Sequence, residues 1–210
     1  LMFSPEVRKH CITLGAMELR DDGRLRTYTI VAGTCFYDAD QFGDDARGNV
    51  FVPESGGNLV GRLKLTPGLR PRAERYYPAE QEFLASTDER FRPVNARVGP
   101  DGALYLADLY RGIIEHVIFM VPWISDQVRD RKLDVGQNQG RIYRIVREDR
   151  PIDRAAPKLS RASSAELVQH LSHTTGWWRL TAQRLLVERR DSAAVPLLAA
   201  LARRGEAPLA

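Results

Sequence analysis

Apolar and polar positions along the chain change period twice. Leu25-Arg26-Thr27-Tyr28-Thr29-Ile30-Val31 alternates and is rich in β-formers, so it predicts a strand that follows a turn at Asp21-Asp22-Gly23-Arg24. Gly33 to Tyr37 reads as another short strand, and the polar, Gly- and Asp-rich Asp38 to Gly48 as a loop. Gly48-Asn49-Val50-Phe51-Val52-Pro53-Glu54 predicts a strand, Ser55-Gly56-Gly57 a turn, and Asn58 to Leu65 a returning strand, with a loop over 67–82. Gly99-Pro100-Asp101-Gly102 is a second turn signal. It leads into Ala103-Leu104-Tyr105-Leu106-Ala107-Asp108, a short apolar run that predicts a buried strand. Pro122 to Leu133 has helical spacing at Ile124, Val128 and Leu133, and Arg141 to Val146 returns to strand character.

These segments repeat. Gly102 to Asp108 matches Gly48 to Glu54, and Arg141-Ile142-Tyr143-Arg144-Ile145-Val146 matches the returning strand, with Arg144 at the place of Arg62. Gly48 and Gly102 stand 54 positions apart. A repeat near ~40–50 residues is the signature of propeller blades of about four strands each. The second copy carries an insertion, Leu109 to Gly140, of the kind that compact domains reserve for functional loops.

From Arg147 to Ser160 the chain becomes charged and Pro-containing, which predicts a linker, taken as 148–162. Beyond it the period is helical. Ser163-Ser164-Ala165-Glu166 is a capping box, followed by apolar Leu167, Val168 and Leu171. Trp178, Ala182, Leu185 and Leu186 share one face of a second helix after Gly176, and Asp191 or Ser192 is the expected cap of a third with Val195, Leu197, Leu198 and Leu201. The expected fold is therefore mainly β over 1–147, the C-terminal blades of a β-propeller with a helical insertion around 121–133. The start of an all-α, HEAT-like solenoid follows over 163–210. Such arrays need about three or more repeats, so a longer parent chain is expected.

Composition narrows the function classes. Thirty-one basic against 27 acidic residues leave a net charge of +4, spread without a dense run or an aromatic-interleaved RNA motif, so nothing favours nucleic acid. No apolar run approaches the ~20 residues of a membrane-spanning helix. Neither Cys11 nor Cys35 lies in Cys-x-x-Cys-His, which excludes covalent haem attachment in this stretch. The two are small hydrophobes or, in an exported protein, a disulfide. Dinucleotide fingerprints, phosphate-binding loops, Gly-x-Ser-x-Gly and His-Glu-x-x-His are absent.

Candidate chemistry gathers after the buried strand. Asp108, Tyr110, Arg111 and His116 fall within nine positions. Arg111 suits a bidentate hold on a carboxylate or quinone oxygen, and His116 suits proton transfer. The structural alternative has Asp108 closing a turn, Arg111 paired with Glu115, and His116 as a core or surface histidine. Glu54 and Asn58 flank the first turn and offer oxygen to a calcium ion, or stabilise that turn. Asp38, Asp40, Asp44 and Asp45 form an acidic loop around Gly43 that reads either as a cation site or as a solvated loop. Asp88, Arg90, Arg92 and Asn95 surround Pro93 at a strand entrance, facing a channel or tying blades together. His10, His170 and His173 lack metal-ligand spacing, and Trp177 and Trp178 read as packing residues.

The run Glu82-Phe83-Leu84-Ala85-Ser86-Thr87-Asp88-Glu89-Arg90 through Gly99-Pro100-Asp101-Gly102-Ala103-Leu104-Tyr105-Leu106-Ala107-Asp108 to Glu115-His116, with Gln139-Gly140-Arg141-Ile142-Tyr143-Arg144-Ile145 beyond, resembles a known family. It is similar to the sugar- and sorbosone-dehydrogenase-like β-propellers, and in its longer pattern to the large planctomycete-type membrane-bound dehydrogenases. Those join a propeller to HEAT-like repeats and often to a C-terminal cytochrome c module. The resemblance implies an exported, extracytoplasmic oxidoreductase that oxidises a sugar-like alcohol and passes electrons to a cytochrome. It implies pyrroloquinoline quinone (PQQ) and calcium as cofactors. Proton abstraction would then fall to the cluster of His116, Arg111, Asp108 and Tyr110, and the quinone to Arg111, Asn95 and Arg141. The competing reading is a non-catalytic platform that binds glycans or proteins on concave propeller and solenoid surfaces. An enzyme needs convergent Arg, His and acidic groups over a pocket, whereas a platform consumes them in structural bonds.

Overall fold

The computed structural model describes residues 27–78, 81–114, 118, 120–152 and 156–205. The Asp21–Arg24 turn, His10, Cys11 and His116 lie outside the described residues. Among those described are eight strands in two antiparallel sheets and four α-helices. β1 (Cys35–Phe36), β2 (Val50–Glu54), β3 (Leu59–Thr66) and β4 (Arg72–Arg75) lie in that order in the first sheet, with β5 (Leu84–Ala85) also paired to β3. β6 (Pro93–Val98), β7 (Leu104–Asp108) and β8 (Arg141–Ile145) form the second, in the order β6-β7-β8. Helix α1 (Pro122–Asp130) lies between β7 and β8, and α2 (Ser164–His170), α3 (Gly176–Arg189) and α4 (Ala194–Arg204) close the chain. No helix among the described residues is long and apolar enough to cross a membrane.

The chain divides into two compact units. Of the described residues, one takes 27–35, 50–96 and 106–143, and the other takes 36–49, 97–105 and 144–205.

In the first unit β2 and β3 pair from Val50↔Leu63 to Glu54↔Leu59 across the turn at 55–58. Phe51 and Val60 are fully buried, and Phe51 packs edge-on against Phe83 with centroids 4.6 Å apart. Two expectations are corrected here. The loop over 67–82 contains β4, paired antiparallel to β3 from Leu63↔Arg75 to Thr66↔Arg72. All four β4 side chains are exposed, so side-chain periodicity gives no sign of the strand. The strand over 25–31 reduces, among the described residues, to a single bridge, Val31↔Glu54. The amides of Thr29 and Ile30 donate to the Glu54 carboxylate instead of to a strand ladder.

In the second unit Tyr37 is fully buried and stacks on Phe42 at 4.8 Å, and its hydroxyl donates to the Gly102 carbonyl at 2.8 Å. Gly102 adopts φ +74°, a left-handed geometry that suits glycine, and its N–H closes the turn onto the Gly99 carbonyl. The helices pack on Leu159, Leu167 and Ala182, with Leu171, Trp177, Trp178, Leu185 and Leu186 around them. Leu159 belongs to a 3₁₀ turn (Leu159–Arg161) inside the stretch read as linker, and three N–H···O bonds from Arg189 hold that turn. The Ser163–Glu166 capping box is present with both reciprocal bonds. Neither Asp191 nor Ser192 caps α4. Asp191 accepts the Ala193 N–H at 2.9 Å, one residue ahead of the helix, whose N-cap is Ala193 itself.

Candidate functional site

β2 and β7 hold corresponding places in the orders β1-β2-β3 and β6-β7-β8, and each ends on a buried carboxylate. In β7 the period-two alternation buries Leu104, Leu106 and Asp108 on one face, so the acid lies on the apolar side of its strand. Asp108 is 3% exposed and Glu54 is fully buried. The two are treated very differently. Glu54 Oε1 accepts from Thr29 N at 3.1 Å, Ile30 N at 2.5 Å and the Thr29 hydroxyl at 3.3 Å, and its Oε2 accepts from Gly57 N. Asp108 Oδ1 accepts from Arg92 N and Tyr110 N, both at 2.8 Å. Asp108 Oδ2 is buried with no hydrogen-bond partner among the described residues. A buried orphan of this kind carries a desolvation cost and calls for an explanation.

Arg92 organises the loops around that acid. Its Nε donates to the Arg111 carbonyl at 2.9 Å, Nη1 to Ser55 O at 2.7 Å and Nη2 to Gly112 O at 2.9 Å. The guanidinium thereby ties the turn after β2 to the loop after β7. Asn58, left-handed at φ +56°, donates to the Phe91 carbonyl at 2.5 Å, and its Oδ1 is a second buried orphan. Tyr110 is likewise left-handed at φ +50°, an uncommon geometry for a bulky residue, and the Arg141 guanidinium lies 3.7 Å from the centre of its ring. The Tyr143 hydroxyl raises the Arg141 pKa above its ordinary value. Gly112 lets this loop press on the end of the α1 segment, where a Cβ would meet the Leu133 carbonyl at 2.5 Å.

Of the sequence candidates, Asp108, Tyr110 and Arg141 come together, and Arg111 joins them through its backbone carbonyl. Asn95 instead packs on Gly33, where a Cβ would meet its Nδ2 at 2.5 Å. His116 lies outside the described residues. Arg92 serves as a tie rather than as a channel-facing charge. The calcium reading does not fit Glu54, because both of its oxygens already accept N–H groups, and no cluster of three metal-ligating side chains occurs among the described residues. The quinone reading finds Arg141 on Tyr110 and Asn95 on Gly33 rather than a shared clamp. No step is therefore routed through either group.

In the acidic loop, Asp38 pairs with Arg47 at 2.9 Å and with Arg179, a structural use of its charge. Sequence reading missed a cleft in the second unit lined by Asp40, Arg150, His173 and Trp178. Those residues are scattered from 40 to 178, so no spacing signal joins them.

Chemically, the loop cluster offers one buried carboxylate oxygen with an open valence, held rigidly by the two amides on its twin. Such an oxygen can accept a hydroxyl proton or hydrogen bond from a guest. Residues 4–149 match a family described as a domain of unknown function (DUF7133). No curated protein matches the chain. A solved structure of a "glucose dehydrogenase" aligns at 28% identity over 37% of this chain and 21% of that one, with a TM-score of 0.28.

Proposed function

The chain belongs to the DUF7133 family, and on that footing we propose that it is part of a β-propeller oxidoreductase acting on a sugar-like alcohol. The observation that carries this reading is the open Oδ2 of Asp108 beside the fully satisfied Glu54 of the preceding repeat. Two matched strand ends carry two buried acids, and among the described residues only Asp108 keeps an oxygen without a partner. In the reaction Asp108 accepts the proton of the substrate hydroxyl. The backbone amides of Arg92 and Tyr110 hold the carboxylate in place. The hydrogen on the same carbon leaves with its electron pair, as a hydride equivalent, to a two-electron acceptor, and the alcohol becomes a carbonyl.

The sequence resemblance of residues 82–116 supports the rest: propeller blades in the parent, a PQQ-type acceptor with calcium held by residues other than Glu54, Asn95 and Arg141, a cytochrome beyond it, and an extracytoplasmic setting. The test uses the longer parent protein with added quinone and calcium, following dye reduction over a panel of sugars. Asp108→Asn should abolish turnover while leaving the fold intact. Absence of turnover with every sugar, together with no thermal shift on adding cofactor, would overturn the reading in favour of a non-catalytic platform for glycans or proteins.

A further inference from the structure

We propose that the cleft beside Trp178 binds one ring of a neutral carbohydrate, at a site separate from Asp108. The cleft measures about 380 Å³ and lies wholly within the second unit. That volume falls near the lower end of ligand sites, about 300–1,000 Å³, and suits a single sugar ring rather than a large cofactor.

The lining decides the ligand class. Asp101 is committed: its Oδ1 accepts Ala103 N at 3.1 Å, its Oδ2 accepts the Tyr105 hydroxyl at 3.1 Å, and Arg144 pairs with it. Asp40 is exposed, and among the described residues only its Oδ2 is engaged, by the Thr174 hydroxyl at 3.4 Å, which leaves Oδ1 as an acceptor. Arg150 spends one N–H on the Asp40 carbonyl at 2.7 Å and, among the described residues, keeps the rest of its fork. His173 Nδ1 accepts Thr175 N–H at 2.9 Å, so in the neutral ring the proton sits on Nε2, a donor with no partner among the described residues. Burial, with His170 adding to it, lowers the His173 pKa and keeps that ring neutral. Pro100, Pro151 and the Trp178 indole supply apolar wall, the indole anchored by its N–H on the Pro100 carbonyl at 2.7 Å.

One open carboxylate oxygen, one guanidinium, one imidazole N–H and one hydroxyl beside an indole make a mixed donor and acceptor set with little net charge. A phosphate would face Asp40. A divalent cation would face Arg150 and find one open carboxylate oxygen. A sugar ring satisfies every group, because each hydroxyl donates and accepts while the C–H face lies on apolar wall. The inference is independent of the oxidoreductase reading, since it needs binding alone.

The experiment titrates the full chain with the methyl glycosides of glucose, mannose and galactose, and separately with inorganic phosphate and calcium, by calorimetry and saturation-transfer NMR. At least one glycoside should bind. Asp40→Ala and Arg150→Ala, both at exposed positions, should each weaken it about tenfold. Thr174→Val serves as a further variant if either alanine lowers the melting temperature. No glycoside binding at millimolar concentration, unchanged affinity in these variants, or binding of phosphate or calcium alone would overturn the proposal.

Discussion

Replacing Glu54 by Gln and Asp108 by Asn makes the same chemical change at two matched strand ends, and the structure assigns the two changes unequal costs. Glu54 uses both oxygens. Whichever way the amide of Glu54→Gln turns, its NH₂ meets a buried N–H: Gly57 on one side, or Thr29 and Ile30 on the other. A buried donor left unpaired costs about 1–3 kcal/mol, and the remaining bonds fall from charge-assisted to neutral strength, so the total should be about 2–4 kcal/mol. Asp108→Asn keeps Oδ1 on the amides of Arg92 and Tyr110 and places NH₂ where Oδ2 already lacked a partner. Its cost should stay within about 1 kcal/mol. Urea titration of the two variants and the parent, with slopes compared to confirm a common unfolding transition, measures the difference directly. Equal losses would refute the argument, since Oδ2 of Asp108 would then have a partner. A Glu54→Gln variant as stable as the parent would refute the assignment of Glu54 as the turn's fastener.

Ser163→Ala removes the acceptor of the Glu166 N–H and breaks the capping box, so it should destabilise the helical segment by about 1 kcal/mol, read by circular dichroism melting. His173 has a folded pKa below its ordinary value, so the folded state resists its protonation. Stability is present above about pH 6.5 and declines as the pH falls through the lowered value, where the ring must give up the Thr175 N–H; His170, Asp40 and Trp178 also face it, and a His173→Asn variant should show a shallower acid slope. The Tyr28 phenol is pushed up to about 12, by burial first and then by Glu82, to which its hydroxyl donates at 3.0 Å. The stability it adds is therefore full below pH 10 and lost as the pH rises towards 12, and Tyr28→Phe should flatten that part of the alkaline unfolding profile.

What could be read from sequence follows from where each element takes its stability. β2, β3 and β7 are built on apolar side chains with turn residues between them, so pattern and punctuation give them away. The Ser163 cap is legible because its partner stands three residues on. β4 is illegible because it contributes no buried side chain and pairs with β3 through a backbone ladder. The segment before Val31 has strand-forming side chains, but a distant carboxylate claims its amides, and no local rule anticipates an acceptor 24 residues away. The candidate site divides the same way. Asp108 and Tyr110 are visible as polar groups at the end of an apolar run. Arg92 emerges as the tie only in three dimensions, where it gathers carbonyls from residues 55, 111 and 112.

The comparison of repeats carries one step further. A scaffold that places an acid at the same strand end twice has one structural problem to solve twice: a charge beneath a turn must receive donors. The first copy solves it fully, with four donors from three residues. The second solves half of it, although the Tyr110 amide that binds Oδ1 shows that loop donors are within reach. Tyr110 adopts the unfavourable left-handed conformation there, and Arg141 covers its ring. Left-handed backbone and an orphaned oxygen occur at both strand ends, with Asn58 carrying both after β2, but only after β7 does the orphaned oxygen belong to the acid itself. Neither contributes to stability, and local strain of this kind collects where a guest is to be met. The strand end at Asp108 is therefore where a bound hydroxyl would relieve a cost the fold carries in its absence. A polyol that binds there should raise the melting temperature of the parent more than that of Asp108→Asn, and identical shifts in the two would place the guest elsewhere.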